Sequence, residues 1–60
     1  MTAQIKTKSN YNNLNGQWLK VVEILGNRVT CEYTHEIYGT QQIDFTLKEV
    51  VAMQYVATIN

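Results

Sequence analysis

The sequence predicts a small all-β protein, either a barrel or a curled antiparallel sheet of four to five strands, with one short helical turn before the last strand. Two pairs of Asn and Gly, Asn15-Gly16 and Gly26-Asn27, separate apolar segments at the spacing of hairpin turns. Residues 28–34 alternate between apolar and polar side chains, which is typical of a half-buried strand. The apolar segments are also rich in Val, Ile, Trp and Tyr, which favour strands.

The N-terminal segment is polar and rich in asparagine, and it offers little to bury besides Ile5 and Tyr11. Because disorder concentrates at chain termini, we predict that residues 1–14 form a loosely held arm or an edge strand. A single barrel domain is then expected over residues 15–58. It begins at Asn15-Gly16, whose residues both tolerate positive φ and therefore predict a type I′ hairpin turn.

The second strand is predicted over residues 17–25 and carries apolar side chains on both faces. In strict alternation Leu19 and Val21 share one face, and the other face holds Trp18, Val22 and Ile24. A strand with two apolar faces is expected to be central and bent. Gly26-Asn27 then predicts a type II′ turn. The alternating strand that follows has a core face of Val29, Cys31 and Tyr33.

The second half of the chain predicts a looser turn over residues 37–40 and a strand over residues 42–46, with Ile43 and Phe45 pointing inward. Thr46 and Glu49 have the spacing of a capping box, which predicts one helical turn. Residues 51–57 are then expected to form the last strand, with one face made of Val51, Met53 and Tyr55. An amphipathic helix over residues 46–55 is the alternative, but the β-branched residues and the short length favour a turn followed by a strand.

The order of these elements resembles an SH3-like barrel. The resemblance rests on VVEILGNRVTCEY at residues 21–33, a turn that contains Gly39, and IDFTLKEV at residues 43–50. In such modules a long hairpin is followed by a third strand, and a short helical turn leads to a closing strand. The similarity is one of pattern over residues 17–57, and it points to the superfold without a particular family. Small barrels host many unrelated activities, so the resemblance implies a fold and not a function.

The chain has 60 residues, one cysteine and no net charge. A domain this short buries only about 60% of its unfolded surface, so it has room for one small core, and such domains often depend on oligomerisation. Residues 1–30 carry four cations and one anion, and residues 31–60 carry one cation and four anions. Ten charges can divide this way by chance, but such halves also favour self-association.

The single cysteine excludes an intramolecular disulfide and leaves the redox compartment open. The polar N-terminal residues do not have the apolar run of a signal peptide. No apolar segment is long enough to span a membrane. We therefore predict a cytoplasmic location, with no membrane partner and no disulfide.

Cys31 and His35 are the side chains that first suggest chemistry. In an extended strand they lie about 13 Å apart, whereas direct proton transfer needs about 3 Å. One Cys and one His are too few for a zinc site, which needs three or four ligands. No phosphate-binding loop or nucleophile elbow occurs, and several of the carboxylates are expected on solvated strand faces. We predict no catalytic residue, no metal and no cofactor, with Cys31 a small buried hydrophobe and His35 a surface residue at a strand end.

The aromatic residues and the cations indicate binding instead. A core this small has room for Tyr33, Phe45 and one of Trp18 or Tyr55, which leaves about three of the aromatics near the surface, where Trp and Tyr are enriched at recognition sites. The candidate binding residues are Tyr11, Trp18, Tyr38, Lys6, Lys8, Lys20 and Arg28.

The leading functional prediction is a small non-enzymatic binding module that acts through protein–protein contacts and can form homo-oligomers. The alternative is single-stranded nucleic-acid binding through a basic and aromatic face. The zero net charge disfavours this alternative, because neutralisation of phosphates by Lys and Arg supplies most of such affinity. A weaker alternative is an oligomeric enzyme whose active site lies at a subunit interface.

Overall fold

The computed structural model describes residues 1–8 and 13–57 of the chain. They form β1 (Thr2–Thr7), β2 (Leu19–Leu25), β3 (Arg28–His35), β4 (Gly39–Thr46), a 3-10 turn (Leu47–Glu49) and β5 (Val50–Val56). The strands lie in one antiparallel sheet in the order β4-β3-β2-β1-β5. The predicted fold class is confirmed: the chain is all-β, with five antiparallel strands and a short helical turn before the last one.

β1 lies inside the sheet, between β2 and β5, and so differs from the arm or edge strand predicted for residues 1–14. Ile5 lies opposite both Leu19 and Met53 in the two registers and is fully buried. Leu14, in the connection to β2, is buried as well. This segment has few apolar side chains, but they fill the centre of the core. The described residues of the segment therefore belong to the same domain as the rest of the chain.

The predicted type I′ turn at Asn15-Gly16 does not form. Gly16 has a φ of +78°, but among the described residues only glycines have a positive φ. A type I′ turn needs positive φ at both central residues, and Asn15 does not supply it. The Gly16 N–H donates to the Thr7 carbonyl at 3.4 Å, and the Gln17 N–H donates to the Leu14 carbonyl at 3.3 Å. β1 and β2 are therefore joined by a longer, folded connection.

β2 and β3 form the predicted two-residue hairpin. Leu25 pairs with Arg28, and Gly26 has the positive φ of +60° that the first position of a type II′ turn requires. Between Val21 and Glu23 the register shifts, and one extra residue is inserted into β2. This bulge exchanges the two faces of the strand. As a result Ile24, which strict alternation places on the opposite face, lies on the core face opposite Val29.

The core consists of side chains from every strand except β5. Val29 and Cys31 of β3 and Phe45 of β4 are almost fully buried, as the alternation in these strands predicts. They pack with three further buried side chains, Ile5, Leu14 and Leu19. Around them lie partly buried apolar residues: Val21, Tyr33, Ile43 and Val50. A hydrophobic core of six buried residues is small, so it provides only a modest hydrophobic stabilisation.

The 3-10 turn is fixed by the predicted capping interaction. Glu49 Oε1 accepts hydrogen bonds from the Thr46 N–H at 3.0 Å and from the Thr46 hydroxyl at 3.1 Å. The Leu47 N–H donates to the Asn27 carbonyl at 2.9 Å, which ties the turn to the β2–β3 hairpin. The alternative helix over residues 46–55 is wrong, because Val50–Val56 pairs with β1 as a strand. Within the described residues no helix is long and apolar enough to cross a membrane.

Thr7 is a buried polar residue whose substitution tests how the core contributes to stability. Its side chain is buried at the end of β1, and its hydroxyl has no hydrogen-bond partner in the described part of the chain. A buried hydroxyl without a partner is unfavourable by about 1–3 kcal/mol. We expect Thr7→Val, which replaces the hydroxyl by a methyl group of similar size, to raise the free energy of unfolding in urea by about 1 kcal/mol.

Thr7→Ser is the matched control, because it keeps the hydroxyl and removes the buried methyl group. This variant should lower the free energy of unfolding by about 1 kcal/mol. A Thr7→Val protein that is less stable than the wild type would show that the hydroxyl is satisfied after all.

Candidate functional site

The last strand presents a row of exposed apolar side chains, which we call the β5 strip. It consists of Val51, Met53 and Tyr55, with exposed fractions of 61%, 47% and 64%. The residues between them are half-buried. Met53 lies directly opposite Ile5, and Tyr55 lies opposite Ala3, so these side chains share the face of β1 that carries the core residue. The core face of the sheet is therefore left open along β5.

β5 is also an edge of the sheet. Its partner is β1, and no described strand lies on its other side. The backbone N–H and C=O groups on that side of an edge strand are available to pair with another chain. Natural edge strands often resist such pairing through a charge, a proline or a bulge. Residues 50–56 contain no charge and no proline, and the shift in the β1–β5 register lies at Val51, near the start of the strand. β5 therefore combines an open backbone ladder with exposed apolar side chains.

The opposite edge of the sheet, β4, is different in character. Its exposed side chains are polar, and one of them, Asp44, is charged. The Asp44 carboxylate accepts a hydrogen bond at 2.6 Å from the hydroxyl of Thr30, which lies opposite it on β3. A charged and polar edge resists pairing with another strand. Of the two edges, only β5 is built to accept one.

Three of the predicted binding residues come together beside the connection between β1 and β2. The Lys6 ammonium lies 4.8 Å from the centre of the Trp18 ring, a cation–π distance. Trp18 and Lys20 line a groove of about 510 Å³ that reaches the end of β3. Lys20 lies opposite Glu32 in the β2–β3 register. The groove therefore carries both signs of charge.

The other predicted binding residues are dispersed. Lys8 is exposed, and its backbone N–H donates to the Glu49 carbonyl at 2.8 Å. Arg28 lies at the other end of β3 from the groove, 3.6 Å from a carboxylate oxygen of Glu23. Tyr38 lies in the turn between β3 and β4 and is 72% exposed. Tyr11 lies outside the described residues.

Cys31 and His35 lie in different surroundings. Cys31 is fully buried in the core, as predicted. The His35 imidazole Nδ1 accepts hydrogen bonds from the backbone N–H groups of Ile37 at 3.0 Å and Tyr38 at 3.3 Å. The histidine thus holds the β3–β4 turn, and the Tyr38 ring lies 4.8 Å from it. Among the described residues, no group of three or more His, Cys, Asp or Glu side chains is placed to hold a metal ion.

The β5 strip is the feature that sequence reasoning did not identify as a site. The alternation of residues 51–57 predicts that Val51, Met53 and Tyr55 share one face, but it does not indicate whether that face is buried or exposed. The available signal was the complete absence of charge between Val50 and Ala57. A strand of that composition is expected to be central, and here it lies at an edge.

The buried thiol makes a pH-dependent contribution to stability. Burial, with a smaller contribution from the Asp44 carboxylate, raises the pKa of Cys31 from 9.0 to about 11. Between these values the unfolded chain releases a proton that the folded chain keeps, so the free energy of unfolding falls as pH rises. We expect urea denaturation to show this fall between pH 9 and pH 11 in the wild type.

Cys31→Ala should lack that component of the pH dependence, although it loses about 1 kcal/mol at pH 7 through poorer packing. The two proteins differ only at residue 31, so the difference between their pH profiles isolates the thiol. Parallel pH profiles for the two proteins would contradict the assignment. Because the thiol is in the core and away from β5, binding at neutral pH should be unchanged in the variant.

We found no match among protein-family models, among curated proteins or among solved structures. Two surfaces of the protein are candidate binding sites, the β5 strip and the groove beside Trp18. They differ in kind, since one offers an open strand edge with apolar side chains and the other a cavity with mixed charges.

Proposed function

We propose that this protein is a small non-enzymatic binding module that recognises protein partners by pairing an extended strand with β5. The observation that carries the proposal is the coincidence of an open strand edge with the exposed β5 strip. Strand addition is a recurring mode of protein recognition. In this mode, hydrogen bonds between the two backbones supply affinity, and the side chains at alternate positions supply specificity.

The chemistry of the β5 strip fits such a contact. Aromatic residues and methionine are enriched in protein interfaces, and charged residues are depleted from their centres. The strip supplies a tyrosine, a methionine and a valine, and Lys48 and Glu49 are the nearest charges before it. A partner strand that carries apolar residues at alternate positions would cover the strip and complete the open part of the core face. Such a contact needs no cofactor.

For the fold and the cellular location, our proposals are an SH3-like barrel and the cytoplasm. The first is supported by the order of the elements, in which a hairpin, a further strand and a 3-10 turn precede the last strand. The second is compatible with a lone thiol that forms no disulfide.

A peptide selection tests the proposed mode of binding. A library of random peptides about as long as the seven residues of β5 is selected against the immobilised protein. We expect enriched peptides to alternate apolar and other residues. Tyr55→Lys, which places a charge in the β5 strip, should weaken the binding of these peptides at least about tenfold.

The matched control is Gln42→Lys, which adds the same charge on the opposite edge strand and should leave peptide affinity unchanged. Equal binding to the wild type and to Tyr55→Lys would rule out β5 as the site. So would a selection that enriches no peptide.

The groove beside Trp18 supports a second candidate, the binding of single-stranded nucleic acid. Lys6 lies over the Trp18 ring, Lys20 lines the same groove as Trp18, and a base can stack on an aromatic side chain near cations. Glu32 opposite Lys20 weakens the case, because a carboxylate repels phosphate. We therefore rank it below protein binding.

Fluorescence titration decides this second candidate, since Trp18 is the only tryptophan. A mixed-sequence oligonucleotide at low salt should change the emission of Trp18. Lys20→Ala should weaken the effect, and Arg28→Ala, at the far end of β3, should not. An unchanged emission at high micromolar oligonucleotide would exclude the groove as a nucleic-acid site.

A further inference from the structure

We infer that the strand that pairs with β5 comes from a second copy of this chain. Two β5 strands would run antiparallel about a two-fold axis at Met53, and the two five-stranded sheets would become one sheet of ten strands. This inference rests on the proposed function and names its partner. It depends on three properties of the described residues: the pattern of β5, the absence of charge in it, and the polar character of the other edge.

The pattern of β5 is complementary to itself. In an antiparallel pair centred on Met53, that residue faces Met53 of the partner subunit, and Val51 faces Tyr55 of the partner subunit. In an antiparallel pair, the side chains of directly opposite residues lie on the same face of the sheet and contact each other. The two β5 strips would therefore meet as a single apolar row, with a valine–tyrosine pair on each side of a methionine pair. A two-fold interface needs this kind of self-complementarity.

The charges permit this pairing and limit it to two copies. β5 carries no charge, so no like charges face each other across the axis. After pairing, the dimer has two free edges, and both are β4. These edges carry Asp44 and exposed Thr and Gln side chains. Because such edges resist pairing, the assembly closes as a dimer and does not grow into a fibre.

The size of the chain makes such a contact useful. A standard interface buries about 800 Å² on each partner, roughly a sixth of the 4545 Å² of surface that one copy exposes. The core has six buried apolar residues, and Met53 and Ile24 lie opposite core residues but remain about half exposed. Covering the β5 strip enlarges a core that is small for an independent domain.

Sedimentation over a range of concentrations is the first test. The wild type should move from a mass of 6.9 kDa towards twice that value as its concentration rises. Met53→Lys places two ammonium groups opposite each other at the axis and should raise the dissociation constant at least about tenfold. Gln42→Lys on β4 is the matched control and should dimerise like the wild type.

A cross-linking experiment tests the register and does not depend on the stability of the lysine variant. Val51→Cys and Tyr55→Cys are prepared separately with Cys31 retained, because its thiol is buried. Opposite positions in an antiparallel pair lie within the Cα separation that a disulfide spans. Mild oxidation of the mixture should therefore yield a disulfide-linked dimer. Neither variant should form one alone, since each position faces the other one.

The results separate this inference from the proposed function. A wild type that stays monomeric at high concentration overturns the dimer, and the peptide selection still judges strand addition on its own. A dimer that Met53→Lys leaves intact, or that cross-links through Val51→Cys alone, overturns the arrangement about Met53. A selected peptide that converts the dimer to monomers supports both proposals.

Discussion

The contact that holds this fold together is the pairing of Ile5 with Leu19. β1 joins β5 to the rest of the sheet, yet its register with β2 consists of only two residue pairs, Gln4 with Lys20 and Ile5 with Leu19. Both apolar residues of the second pair are buried in the core. Because Ile5 also lies opposite Met53, one side chain near the N-terminus connects strands β2, β3 and β4 to the last strand, β5.

This arrangement leaves the two edges of the sheet unequal. On the β4 side, alternation places Phe45 inward and polar residues outside, so the edge resists further pairing. On the β5 side, the core face continues beyond Ile5 to Met53, but nothing in the described residues covers it. The proposed binding mode follows from this asymmetry. The same hydrophobic effect that builds the core also favours covering its open side.

The individual strands were predictable because their signals are local. The alternation around Cys31, the turn at Gly26, and the spacing of Thr46 and Glu49 each depend on residues a few positions apart. The predictions at the N-terminus were wrong for the opposite reason. The polar composition of the segment did not reveal that β1 lies inside the sheet. A single buried side chain, Ile5, is opposite residues of both neighbouring strands, and this contact is enough to place β1 there.

The sequence by itself determined the fold class, the core face of β3 and the 3-10 turn, since hydrophobic period and turn chemistry act over short distances. Only the tertiary structure decided the order of the strands, and with it which of them form the edges. Strand order depends on contacts between residues distant in the chain, such as Ile5 with Met53. That order brought Lys6 to Trp18 and separated both from Arg28. It also turned the uncharged segment from Val50 to Val56 into an open edge, which is the feature on which the proposed function rests.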